Sequence, residues 1–295
     1  MEYGFVFGGG GAKAYGQVGA LTEILKRGYK PSYLAGTSMG AVNAVLLGAG
    51  FTIEEIYDFF KKHNAFDFFK MGLHRDYVLD NEKLGDLIQK YCSERGYKNL
   101  EDLPIKTAIC VTDDKTNKPV FLTKGSIKEA VMATTAALYS KPLTVTDEVI
   151  KKQVCEQTNQ EYVKGMHMVI KDGCYTINVP YEALDLLRDN LNGEKYFDIC
   201  FDIGPIYKPT AIPGLNPFNR QILKVDRKRK EIFEETRNGV YLDLECGCTQ
   251  TDFNKIMLNR GYNKGQAIVQ KRYSGGLPRL EVDEAEFDDD DELID

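Results

Sequence analysis

Two glycine-rich turns within the first forty residues constrain this chain more than any other feature. Gly8-Gly9-Gly10-Gly11-Ala12-Lys13 follows the run Tyr3-Gly4-Phe5-Val6-Phe7, and Gly36-Thr37-Ser38-Met39-Gly40 follows Tyr33-Leu34-Ala35. Apolar runs of this length that end in glycine read as buried strands over 2–7 and 33–36. Val18, Leu21, Ile24 and Leu25 share one face of a helix from Ala12 to about Gly28, where glycine stops it. A second helix over 38–49 follows the second turn. Strand, turn, helix, strand, turn, helix implies a mainly parallel sheet with helices on both faces, ligands binding beyond the strands' carboxyl ends.

In that context Gly36-Thr37-Ser38-Met39-Gly40 reads as a nucleophile elbow. The turn is too tight for side chains beside the serine and presents its hydroxyl at a helix N-terminus. The earlier glycines expose backbone N–H groups, as a developing oxyanion requires. Serine acyl hydrolysis is the first reading. A base is then needed, and an α/β-hydrolase would place a histidine late in the chain. The histidines here are His63, His74 and His167, so nothing after residue 167 supplies an imidazole. His63 and His74 fall in a charged, aromatic region, and His167 in a strand-like segment over 166–171. The remaining candidate is Asp172, leaving that segment beside Gly173; in a dry cleft desolvation would raise its pKa and improve it as a proton acceptor.

These motifs, in this order, resemble the patatin-like phospholipase family. Its pattern is Gly-Gly-Gly-x-Arg/Lys-Gly, then Gly-x-Ser-x-Gly, then Asp-Gly-Gly or Asp-Gly-Ala. Gly16, Gly19, the segment Ala130–Thr135 and Asn178-Val179-Pro180 match as well, and the resemblance covers about residues 3–185. It implies a three-layer α/β/α sandwich with a mainly parallel central sheet, and cleavage of phospholipid or lysophospholipid acyl esters by a Ser–Asp dyad. Ser38 would be the nucleophile, Asp172 the base, and Gly9, Gly10 and Gly11 the oxyanion donors. Lys13 takes the family's basic position, against the loop or a lipid phosphate. Ala14 and Cys174 stand where the family has glycine or another small residue, and Pro142 falls later than the family's groove proline.

Two rivals remain. Gly9-x-Gly11-x-x-Ala14 satisfies a relaxed dinucleotide fingerprint, although the second strand ends without the carboxylate that would hold a ribose. A silent lipid-binding protein on the same scaffold would have no need of both Ser38 and Asp172. No cofactor is expected. Seven cysteines, with Cys246-Gly247-Cys248 the only close pair, and three histidines give poor spacing for a metal.

The net charge of −6 is concentrated, because ten carboxylates lie between Glu281 and Asp295. Residues 1–280 carry 38 cations against 34 carboxylates. The expectation is one acyl hydrolase domain over 1–280 and a disordered acidic tail over 281–295. Arg227-Lys228-Arg229-Lys230 reads as a short basic turn or an anionic-lipid contact. Phe59, Phe60, Phe66, Phe68 and Phe69 read as core, acyl groove or membrane contact. Basic residues not interleaved with aromatics argue against nucleic acid. Met1–Phe7 reaches the glycines at once, leaving no room for a signal peptide, and no apolar run approaches about 20 residues. A cytoplasmic protein, at most peripheral at membranes, is expected.

Overall fold

Residues 1–71, 79–137, 140–188, 196–203, 215–244 and 251–277 are described by a computed structural model. The chain opens with two strand–turn–helix units. Strand β1 (Glu2–Phe7) passes through the glycines and a 3-10 turn into helix α1 (Ala14–Lys26); β2 (Tyr33–Thr37) turns at Ser38 into α2 (Met39–Gly48). Helix α3 (Ile53–Lys62) starts at a capping box in which Thr52 and Glu55 satisfy each other's backbone amides. After it come α4 (Ala65–Phe68), the short antiparallel pair β3 (Lys70–Met71) and β4 (Leu79–Asp80), and α5 (Glu82–Ser93).

The hairpin of β5 (Lys106–Asp113) and β6 (Pro119–Leu122) leads to α6 (Ile127–Thr134), β7 (Leu143–Thr144), α7 (Glu148–Thr158) and β8 (Val169–Asp172). The described chain closes with α8 (Ala183–Leu187), β9 (Tyr196–Asp202), α9 (Leu215–Thr236), β10 (Gly239–Asp243) and α10 (Lys255–Arg272).

Strands lie in the order β10-β9-β1-β2-β5-β8-β7, with β6 also on β5. The first five are parallel; β6, β7 and β8 join antiparallel. The sheet is therefore mixed, a parallel body with an antiparallel margin. Alternate residues of each strand face opposite layers. Phe5, Phe7, Leu34, Ile109 and Phe201 pack with α1, α2, α6 and α10. Val6, Ala35, Ala108, Cys200 and Tyr241 pack with Ala183, Leu184 and Leu187 of α8 and with Phe233 of α9. Helix on sheet on helix is the expected three-layer α/β/α arrangement.

Glycine sets the distance between α1 and α10. A Cβ on Gly19 would lie 1.9 Å from Tyr262 O, and one on Gly265 would lie 2.0 Å from Gly16 O. The helices therefore meet backbone to backbone and run in the same direction, Tyr15 beside Gly261 and Glu23 bonded to Gln266.

Some segments depart from the sequence-based expectations. The polar stretch over 141–165, whose fading periodicity predicts a surface loop or small cap over the site, contains α7, which Asp147 caps through the amides of Val149 and Ile150. Helix α7 lies against β6, Gln157 bonding both backbone groups of Phe121, so it is not a cap over the glycine turns. Arg227–Lys230 belongs to a 22-residue helix rather than a short turn. Its Arg229 is committed to Glu182 at 2.6 Å and its Lys230 to Asp243, which leaves Arg227 and Lys228 facing outward. The sequence predicts a last helix through about Tyr273 with Asp252 as its N-cap, but the cap is Asn254. His167 precedes β8 rather than lying within it. Phe59, Phe60 and Phe68 are core, Phe69 packs at its edge and Phe66 is exposed. His74, Cys246, Cys248 and the acidic stretch 281–295 lie outside the described residues.

Candidate active site

Strand register brings the two reactive side chains to one height. Thr37 of β2 pairs with Cys110 of β5, and the next residue of β5, Val111, pairs with Asp172 of β8. Ser38, one step past Thr37, therefore stands level with Asp172 across a single intervening strand. At about 4.8 Å between neighbouring strands, two side chains can close that gap.

Ser38 has φ 53° and ψ −131°, a backbone state that non-glycine residues seldom adopt. Three contacts hold it there. Its amide donates to Thr134 Oγ1 at 2.8 Å, and that hydroxyl donates on to Cys110 O at 2.7 Å. Its carbonyl accepts from Ala41 N at 2.9 Å in the first turn of α2. The flanking glycines are sterically required. A Cβ on Gly36 would come within 2.6 Å of Ala41 Cα, and one on Gly40 within 2.4 Å of Phe7 O. Ser38 thus heads a helix N-terminus, whose free amides and dipole favour negative charge.

The glycine loop lies directly against this elbow. A Cβ on Gly9 would stand 2.9 Å from Ser38 Cβ. Gln17 fixes the loop's base, donating to Gly8 O at 2.7 Å and Phe201 O at 2.9 Å, and accepts in turn from Asn43. The Gly9 amide donates to Asn178 Oδ1 at 3.1 Å and, at 3.4 Å, to Asn178 O. This corrects the expectation that Gly9, Gly10 and Gly11 all offer donors, because Gly9 is already committed. The amides of Gly10 and Gly11 donate to no acceptor among the described residues. Gly11 has φ 57°, the left-handed state that favours glycine. Half-buried Lys13 closes the 3-10 turn, its amide donating to Gly10 O at 3.3 Å.

Asp172 is fully buried. Its Oδ1 accepts from Cys174 N at 2.9 Å. Oδ2 has no hydrogen bond of regular geometry, while the Ser38 hydroxyl stands close enough to lower the carboxyl's pKa. Burial is the larger influence and lifts that pKa from 3.8 to about 6, against the Cys174 amide, Ser38 and the Cys174 thiol, which lower it. Asp172 is therefore mostly ionised at neutral pH, yet far more basic than an exposed aspartate. Gly173 permits the approach, since a Cβ there would meet Cys110 O at 2.5 Å. Burial and the neighbouring Asp172 push the Cys174 thiol well above its ordinary pKa, so it stays protonated.

The other titratable candidates sit elsewhere. His63 Nε2 is 3.1 Å from Tyr91 OH within the aromatic cluster, and burial lowers its pKa. His167 lines a pocket of about 290 Å³ with Asp113, Asp114 and Gln160, at the end of β8 away from Asp172. Among the described residues no cluster of three His, Cys, Asp or Glu could hold a metal ion. No helix among them is long and apolar enough to cross a membrane. Sequence reasoning did not assign Thr134, Asn178, Gln17 or Asn43 to the site. Thr134 and Asn178 stand in motifs that it noted, but their partners lie far away along the chain.

Comparison with known proteins places these observations in a family context. The model of the patatin-like phospholipase family matches residues 5–185. Uncharacterized NTE family proteins of Mycobacterium bovis and Mycobacterium tuberculosis are 28% identical over 132 residues, 44% of this chain and 36% of their own length. The chain thus matches little more than a third of those relatives. Among solved structures, VipD from Legionella pneumophila superposes over 92% of this chain and 67% of its own, with a TM-score of 0.43 and 11% identity. The type III effector protein ExoU does so over 92% and 53%, with a TM-score of 0.37 and 12% identity.

Proposed function

The chain belongs to the patatin-like phospholipase family, and from that premise we propose that it hydrolyses phospholipid or lysophospholipid acyl esters with Ser38 as nucleophile and Asp172 as its base. One observation carries the reading. A carboxylate with one oxygen lacking a regular hydrogen bond is buried beside a strained serine, next to a loop with two amides that donate to nothing among the described residues.

In the first step Ser38 Oγ adds to the ester carbonyl carbon while Asp172 Oδ2 takes the hydroxyl proton. The carbonyl oxygen becomes an oxyanion against the amides of Gly10 and Gly11. Losing one such donor typically costs about 3–4 kcal/mol of barrier. Collapse breaks the ester C–O bond, and the departing alcohol takes the proton from Asp172. Water then adds to the acyl-serine, again giving its proton to Asp172, and the fatty acid leaves as Ser38 regains its hydrogen. A pKa near 6 suits both directions of transfer, because the group is ionised when it must accept and acidic enough to return the proton. Asn178 contributes by holding Gly9, and Thr134 by holding the amide of Ser38. The Lys13 amide closes the turn that carries Gly10 and Gly11 by donating to Gly10 O.

The dinucleotide alternative is not favoured. The second strand ends at Thr37 and passes into Ser38, with no carboxylate to receive a ribose. The test is mass spectrometry of a lipid extract incubated with wild type, Ser38→Ala or Asp172→Asn. Free fatty acid and lysolipid should appear with wild type alone. Equal release by Ser38→Ala would remove the proposal.

A further inference from the structure

Asn178 can fix the Gly9 amide only if its own segment is fixed. Residues 177–182 belong to no helix or strand, so contacts with other elements set their path. The upstream end is tied to the second strand, where the Thr37 hydroxyl donates to Ile177 O at 3.2 Å. The middle lies on the glycine loop. A Cβ on Gly8 would stand 3.0 Å from Val179 Cγ2, and Asn178 Oδ1 takes the Gly9 amide at 3.1 Å.

The downstream end is tied to α9 by a single side chain. Arg229 donates through Nη2 to Val179 O at 3.1 Å and grips the Glu182 carboxylate with both terminal nitrogens at 2.6 Å. The segment answers in kind, the Tyr181 hydroxyl donating to Arg229 O at 3.1 Å. The guanidinium also stands 4.8 Å from the centre of the Tyr181 ring, and Phe233, one turn further along α9, meets that ring edge-on at 5.2 Å. Among the described residues Val179 O has one other donor, Tyr181 N, which lies in the same segment and anchors it to nothing. A planar fork that serves a carboxylate with two bonds and a carbonyl with a third is chemistry that arginine supplies and lysine does not. The Arg229 side chain is largely buried, so water screens these bonds little.

We propose that Arg229 is a positioning residue for the oxyanion loop: by clamping Val179 O and Glu182 to α9 it keeps Asn178 on the Gly9 amide, and the Gly10 and Gly11 amides in place for the developing charge. It touches no reacting atom. It lies beyond residue 185, where the family match ends, so the loop is governed from a part of the chain that carries none of the motifs. Misplacing reacting groups by an ångström is costly in rate, which makes a remote clamp visible in turnover. The next residue, Lys230, provides the contrast, since it ties α9 to Asp243 of β10 and bonds nothing in 177–182. This inference rests on reading Gly10 and Gly11 as oxyanion donors beside Ser38, and the experiment separates the two.

Arg229→Met keeps much of the side chain's length and removes its donors. Exchange of the Gly9 amide hydrogen, followed by NMR in the full chain, should quicken at least about tenfold. The Ala41 amide, which donates to Ser38 O in α2, should exchange as in wild type and serves as the internal reference. With a soluble short-chain nitrophenyl ester kcat should fall about tenfold, while KM stays within about twofold. Arg229→Met combined with Asn178→Ala should match Asn178→Ala within about twofold, because both break one chain of contacts. Lys230→Met should leave Gly9 exchange and kcat at wild-type values. Arg229→Lys, which keeps the charge without the fork, should give intermediate values and serves if the methionine variant fails to fold. Unchanged Gly9 exchange in the Arg229 variants, equal quickening of Gly9 and Ala41, or losses of kcat that multiply in the double variant would overturn the proposal. Gly9 loosening on Arg229→Met, in a protein without ester cleavage, would uphold the clamp and refute the hydrolase reading alone.

Discussion

Replacing Asp172 by asparagine should yield an inactive protein that is more stable at neutral pH. The carboxyl is fully buried, one oxygen held by the Cys174 amide and the other without a regular hydrogen bond. Burial lifts its pKa from 3.8 to about 6, so the folded protein holds this proton more tightly than the unfolded chain does. Such a raised carboxyl stabilises the fold below its unfolded pKa, and that contribution is lost as pH climbs through about 6. Above it the penalty reaches about 3 kcal/mol, each pKa unit being worth about 1.4 kcal/mol. Asparagine keeps an acceptor for the Cys174 amide and carries no charge. Its advantage over wild type should grow by about 1.4 kcal/mol between about pH 5 and about pH 8. For a chain of this size that is roughly 3–5 °C in melting midpoint, and scanning calorimetry of both proteins at the two pH values measures it. Turnover of a soluble ester should fall by about 10²–10⁴. A stability gap that is constant, or shrinks as pH rises, would refute a raised, buried carboxyl at this position.

The same ionisation should govern catalysis: kcat/KM for a soluble ester should rise with pH through an apparent pKa of about 6, since only ionised Asp172 accepts the serine proton. A rate flat across that range would remove it as the base. Asn178→Ala should release the Gly9 amide and lower kcat roughly tenfold to a hundredfold with little change in KM, about 1.5–3 kcal/mol of positioning; an unchanged kcat would show that the loop holds its own shape. Thr134→Val removes the acceptor for the Ser38 amide and should cost about 1–3 kcal/mol in stability by urea melts, together with activity. Gly265→Ala would set a methyl 2.0 Å from Gly16 O and should destabilise by about 2–4 kcal/mol or prevent folding. A wild-type melting curve for that variant would contradict the close approach of α1 and α10.

The reactive pair is legible in the sequence because its local geometry tolerates few residue types. Ser38 needs glycine on both sides, and Asp172 needs Gly173 to come under Cys110 O. Such steric demands leave glycines at fixed positions, which a reader can find. The role of the Gly9 amide is not legible in the same way. Its acceptor, Asn178, is 169 residues distant, and no local pattern reveals which of several bare N–H groups is already taken. The parallel body of the sheet follows from its apolar runs, and β8 from the strand-like segment before Asp172, whereas β7, two residues long, is too short to show a period. Helices α7 and α9 escape sequence reasoning for another reason. Both are largely polar, and α9 carries Pro217 at its third position, where proline's missing N–H costs a helix nothing. His63 shows the converse, since a nitrogen base in sequence becomes a packing element once Tyr91 holds it.

The match to the family model ends at residue 185, but the contacts of the matched segment do not. Strand β1 has β9 as its other neighbour, and α1 lies glycine to glycine along α10. A fragment trimmed at the limit of family likeness would leave the strand that feeds the amide loop as a bare sheet margin, ready to recruit foreign strands. Its first helix would also show water a strip of naked backbone. The last third of this polypeptide is thus the buttress of its early, motif-bearing part, and substitutions far from any reacting atom should register as lost turnover.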